Sequence, residues 1–169
     1  MRAKPAKSVT AESVCKRLAS LCARSEQCEE GIRQKLMKTG LPLTDREEIL
    51  DFLKRERFVD NARYARALVR DARNLKLWSR RKTMLQLAAN RIPRDIAREA
   101  IEEEYTPEEE RATVARLIQR AYRSRRGEAD SKWRQSLIAV MARRGFPVGV
   151  SIEEIKKLLA EESAGDNGL

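Results

Sequence analysis

Histidine is absent from this chain of 169 residues, and with it goes the side chain that most often moves protons near neutral pH. Glycine (7) and proline (5) are scarce, so there is no glycine-rich phosphate loop and no Pro/Gly linker. Aromatics are 5 %, and Val and Ile are sparse beside Ala, Leu, Glu and Arg, which disfavours strands. No apolar run approaches the roughly 18 residues of a membrane span. The basic start from Met1 to Lys7 leads to Glu12 and Lys16 instead of a signal-peptide core, so a cytoplasmic protein with no membrane partner is expected. The three cysteines, Cys15, Cys22 and Cys28, form no CxxC and lack the fourth ligand of a zinc set. Buried, reduced thiols are expected of them, as in a reducing compartment. These gaps leave no acid/base pair, metal cluster, cofactor site or small-molecule site in view. An enzyme is not expected.

What the chain has in abundance is charge. Charged residues are 37 %, the net charge is +10 and the pI is near 9.9. Such a balance suits a polyanion, an acidic protein groove or an anionic surface. The charge is blocked: +3 over residues 1–60, +8 over 61–91, −6 over 92–110, +8 over 111–144 and −3 over 145–169. Arg63, Arg66, Arg70 and Arg73 recur at helical spacing and fall on one stripe, with Tyr64, Leu68, Ala72 and Leu75 expected on the other side. No acid stands at i±4 to compensate them within the helix. Lys76 follows, and Arg80, Arg81 and Lys82 open the next helix, where cations oppose the helix dipole. These eight residues are the candidate partner or anion site. Arg116, Arg120, Arg123, Arg125, Arg126, Lys132 and Arg134 form a secondary basic patch. The alternative for both is a solvated helix face. Glu102 to Glu104 and Glu108 to Glu110 are expected to be solvated, dipole-favourable surface. Trp78 and Trp133 stand beside the basic starts of equivalent helices, and packing is preferred over base stacking for them.

The periodicity predicts an all-α fold of about nine helices in three rounds, each a long helix and two shorter ones. Helices are expected from Ala11 to about Ala23, from Cys28 to Lys38 with Gly40 as stop, and from a capping box at Thr44 and Glu47. Asp60 should cap the arginine helix and Ser79 the one after it, while Pro93 should occupy the first turn of a third. Thr106 with Pro107, the helix from Trp133 to Arg144 stopped by Gly145, and a capping box from Ser151 to Glu154 make the last round. The core of each middle helix registers as Ile32, Leu36, Leu41; Thr83, Leu87, Ile92; Leu137, Met141, Phe146. The expected organisation is a loose tail over 1–9, three-helix repeats over 10–57, 58–105 and 106–161, and a tail over 162–169. Stacked repeats of this kind favour an elongated, curved array with helix-turn-helix-like units.

At this point the residues resemble a known family. The run Phe58 to Arg70, with Asp60, Arg63, Tyr64 and Ala65 at its head, resembles the signature of the RecX regulatory proteins, and the run from Trp78 through Leu87 to Ile92 sits where that family has its arginine-rich motif. Ile32 to Leu41 and Met141 to Phe146 match the corresponding motifs of the first and third units, so the resemblance spans about residues 11–160. Cys28 replaces the usual Ser, with fraying expected there; Thr83, Met84 and Leu85 replace Ile-Arg-Gln; and Arg91 replaces the Gly before Ile92. The resemblance implies a non-enzymatic modulator of the RecA recombinase. Such a protein binds RecA and the RecA–ssDNA filament along its helical groove, and limits strand exchange and ATPase activity in DNA repair and the SOS response. The runner-up is a stand-alone protein of helix-turn-helix modules that binds single- or double-stranded DNA directly.

Overall fold

A computed structural model describes residues 10–126 and 128–166. Among the described residues there are nine α-helices and no strand: α1 Ala11–Arg24, α2 Glu29–Met37, α3 Leu43–Arg55, α4 Asn61–Asp71, α5 Arg80–Ala89, α6 Arg94–Glu104, α7 Pro107–Arg123, α8 Ser131–Arg143 and α9 Val148–Asp166. A five-residue π-helical turn, Ala72–Lys76, follows α4. The chain packs as two compact units, one holding residues up to Ala67 together with Leu87–Ala97, the other holding Leu68–Gln86 and the residues from Arg98 onward. Helices α4, α5 and α6 each contribute residues to both.

In the first unit α1, α2 and α3 close around Val14, Leu18, Cys22, Ile32, Leu36, Ile49, Leu50 and Leu53, with Val59 beneath. In the second, α7, α8 and α9 close around Val114, Ile118, Leu137, Met141, Phe146 and Ile155. Each fully buried Leu or Ile contributes roughly 1.5–3 kcal/mol. The registered trios fall inside: Thr83 and Leu87 are fully buried, Ile92, Leu137, Met141 and Phe146 nearly so, and only Leu41 is half-buried.

The third helix of each round begins in one way that the sequence reading missed. A residue in the left-handed region (Gly40 at φ 76°, Arg91 at 53°, Gly145 at 86°) precedes the last member of the trio, then comes proline, then the helix. Pro42, Pro93 and Pro147 supply the first helical acceptor, to the amides of Arg46 (3.2 Å), Ala97 (2.9 Å) and Ser151 (3.1 Å). Proline suits this place because its fixed φ leads into a helix and it has no N–H to leave unpaired. Pro93 therefore lies one residue before the helix rather than in its first turn. The same arrangement displaces two predicted caps. Thr44 lies inside α3, whose cap position is Pro42 with no side-chain bond. Ser151 lies inside α9, buried, with its hydroxyl donating to the Pro147 carbonyl at 3.0 Å.

Other caps form as expected. Asp60 Oδ1 accepts the amides of Ala62 and Arg63, both at 3.0 Å. Ser79 Oγ accepts from Lys82 at 3.0 Å, and Thr106 with Glu109 completes a capping box behind Pro107. Cys28 also caps: its Sγ accepts the Gly31 amide at 3.3 Å, so a thiol fills the place where fraying was expected.

The rhythm of one long and two short helices does not hold. The third helices α3 and α9 have 13 and 19 residues, because the early proline start lengthens both and α9 continues to Asp166 through the expected tail. Leu75, expected inward, is 76 % exposed. The π turn carries an extra residue per turn, so 100° counting fails beyond Ala72. The predicted tail over residues 1–9 and the last three residues lie outside the described residues.

Candidate anion-docking surface

The arginine stripe is largely answered from within. Arg63 Nε donates to Glu26 at 2.6 Å, and its Nη2 donates to the carbonyl of Arg57 at 3.1 Å, tying the start of α4 to the preceding loop. Arg70 donates to Glu104 at 2.7 Å. Arg73 donates to the Glu104 carbonyl at 2.7 Å and also pairs with Glu109. Arg66 is half-buried. These carboxylates stand 34 to 37 residues from their partners, beyond the reach of an i±4 count.

The acidic run that looked like solvated surface supplies two of them, Glu104 and Glu109. Glu110 is buried, and its carboxylate accepts the Arg80 amide at 2.7 Å, which satisfies one orphan donor of α5 and offsets the cations in its first turn. Burial is the main reason its carboxyl is pushed above the usual range. Glu102, Glu103 and Glu108 remain exposed as expected.

The motif residues hold the frame. Asp60 caps α4, pairs with Arg57 at 2.9 Å, and is held below the usual carboxylate range first by the Arg63 amide. Ala65 is fully buried. The Tyr64 hydroxyl accepts from Asn90 Nδ2 at 2.8 Å and is pushed up to about 12, mainly by burial. Leu87 and Ile92 are core. Trp78 is half-buried, and its carbonyl accepts the Tyr105 hydroxyl at 2.9 Å. Trp133 packs on the last core and meets Tyr122 edge-on at 6.1 Å.

Lys76, Arg81 and Lys82 are exposed, and among the described residues none is ion-paired with a carboxylate. In the secondary patch Arg116, Arg120 and Arg123 share an open depression along α7 with Gln119 and Ser124. Arg125 turns back instead, stacking 3.4 Å over the Tyr122 ring and donating to its carbonyl. Arg126, Lys132 and Arg134 are exposed. Sequence reasoning missed Arg144, an exposed residue at the end of α8 whose carbonyl accepts Ser79 Oγ at 3.0 Å. The cysteines are free, with Cys22 and Cys28 buried. Burial holds the Cys15 and Cys22 thiols above their usual range. No group of His, Cys, Asp or Glu among the described residues is placed to hold a metal, and no described helix is long and apolar enough to cross a membrane.

A family model for the second three-helix domain of RecX matches residues 60–101, the stretch that carries α4 to α6. The regulatory protein RecX of Mycobacterium marinum is 30 % identical over 159 residues, covering 94 % of this chain and 90 % of that one. The chain belongs to the RecX family. Its similarity to the RecX of Amycolatopsis mediterranei is 28 % over 155 residues, covering 91 % and 86 % of the two chains. The crystal structure of RecX from Lactobacillus salivarius superimposes with a TM-score of 0.74 at 17 % identity, over 88 % of this chain and 96 % of that one. A second RecX crystal structure gives 0.75 at 22 %, over 87 % and 71 %. These two share the all-α fold. The RecX relatives are named regulatory proteins, and the helical repeat pattern of the family runs through this chain.

Proposed function

We propose that this chain is a non-enzymatic, cytoplasmic regulator of the RecA recombinase that binds the RecA–ssDNA filament, in its helical groove, and restrains ATP hydrolysis and strand exchange during DNA repair. The observation that carries this is kinship to regulatory RecX proteins along nearly the whole chain. The surface is compatible with it: a net charge of +10, with exposed and unpaired cations at Lys76, Arg81 and Lys82, suits the acidic or phosphate-bearing wall of such a groove. Of the stripe, Arg63, Arg70 and Arg73 have internal partners, so the contact is assigned mainly to the exposed set.

Co-sedimentation with RecA–ssDNA filaments, with naked DNA as control, tests the proposal. Enrichment with filaments and lowered ATPase are expected. Equal binding to naked DNA with no effect on ATPase would favour a stand-alone DNA-binding protein of helix-turn-helix modules. Reversing the charge of Arg81 and Lys82 should weaken filament binding more than reversing Arg70.

A further inference from the structure

Lys76 Nζ and Lys82 Nζ each sit 4.5 Å from the centroid of the Trp78 indole, so twice that distance, 9 Å, is the most that can separate them. With Leu77 and Arg144 they line a small cavity of about 90 Å³ in the second unit. Like charges so close repel unless something offsets them, and no carboxylate among the described residues pairs with Lys76, Lys82 or Arg144. The ring quadrupole holds the two ammonium groups in place without neutralising them.

The approach that brings Arg144 to this place is built into the backbone. Ser79 Oγ, fully buried, receives the Lys82 amide and donates to the Arg144 carbonyl, which joins the end of α8 to the start of α5. Gly145 is required there twice. Its φ of +86° is left-handed, and a Cβ on it would stand 2.8 Å from Ser79 Oγ and 3.8 Å from the Lys82 amide nitrogen. The Ser79 bonds thus bring Arg144 and the two lysines to one cavity before any ligand arrives.

We propose that Lys76, Lys82 and Arg144, set around Trp78, form a pocket for one phosphodiester of a nucleic-acid strand. Three donors converging on one small space suit a tetrahedral oxyanion with oxygens on several sides. Arg144 also borders the adjoining groove, which Arg120 shares, and Arg120 borders the depression flanked by Arg116 and Arg123. A row of unpaired cations leading away from the pocket fits a polymer of phosphates and not a lone ion. The indole is engaged by ammonium groups rather than left as a stacking platform, so the contact is with the backbone and indifferent to base. This inference goes beyond the recombinase reading and does not rest on it.

The test uses a Trp133→Phe background, in which Trp78 is the one remaining tryptophan and its fluorescence reports the pocket. The probes are an oligodeoxythymidylate of about 15 nucleotides, inorganic pyrophosphate and polyglutamate. The oligonucleotide is expected to shift the emission saturably. Combining Lys76→Gln with Lys82→Gln should weaken it about tenfold and reduce the slope of log affinity against log salt by about 0.7 for the lost phosphate contact. Arg144→Gln should act in the same direction, Lys82→Arg should retain affinity, and far-UV circular dichroism should show every variant folded. An affinity for the oligonucleotide within about twofold of the parent in the double variant overturns the proposal, a change that size being under one phosphate contact. So does saturation by pyrophosphate at the same concentration, which marks a free-ion pocket, or by polyglutamate, which marks a carboxylate site. A chain that sediments with RecA filaments yet leaves the oligonucleotide unbound overturns this inference alone. Oligonucleotide binding without any effect on RecA overturns only the recombinase reading.

Discussion

Two sets of cations meet opposite fates. Arg63, Arg70 and Arg73 each close on a carboxylate contributed from a distant element, whereas Lys76 and Lys82 close on an aromatic ring, with Arg144 lining the same cavity. The first set holds helices together, and Arg73, at 22 % side-chain exposure, is the most shielded of it. The second is held in readiness at a cost in repulsion that only an outside anion relieves. Charge density alone does not mark a docking surface. The density left after internal pairing does.

The comparison can be broken from either side. The largest effect is expected from Gly145→Ala, which forces a Cβ into left-handed backbone and against Ser79 Oγ; urea unfolding should show a loss of about 2 kcal/mol or more. Gly40→Ala, with the same sign of φ but open space around it, should lose about half as much, since only the backbone term remains. Equal losses would mean that the α5–α8 junction is not tight. On the stripe's side, Asp60→Ala removes the cap of α4 and should cost about 1 kcal/mol at neutral pH. The Asp60 carboxyl is held below its ordinary range in the fold, so its stabilisation is present above the unfolded pKa and fades as pH falls through the folded one. The deficit of the variant should close in acid.

Arg73→Ala should lose something under about 1 kcal/mol, a partly exposed pair being discounted for solvent screening, while Lys82→Gln loses nothing and gains slightly in low salt. Thermal melts of the two variants at low and high salt decide whether the distinction is real. A small effect of the opposite sign is assigned to Glu110→Gln. Burial raises this carboxyl in the fold, so stability is complete below the ordinary glutamate range and is lost as pH rises through the folded value. An amide that still accepts from Arg80 has no such loss. The variant should melt above the parent at neutral pH and level with it in acid.

The legible part of the molecule was the part fixed by near neighbours. Helical periodicity, the Thr106 and Glu109 capping box, and the trios at Ile32, Thr83 and Leu137 depend on residues three to five positions apart, and they lie where the spacing put them. Thr44 and Ser151 were misleading because they are the second and fourth residues of helices that a preceding proline had already begun. The internal partners of the stripe were not legible for a different reason. Glu26, Glu104 and Glu109 reach it across loops that no periodicity describes. Arg144 was invisible as a site residue because its neighbours in sequence say nothing of Trp78.

The π turn between Ala72 and Lys76 has a consequence for heredity. It holds one residue more than an α-helix needs for the same turn, so loss of a single codon, that of Asn74 or Leu75, would let α4 continue as regular helix. Lys76 would keep its angle about the axis and its place beside the Trp78 ring, with helix content nearly unchanged. An in-frame deletion of three nucleotides would thus spare the pocket as well as the fold, a change that comparison by percentage identity would barely register.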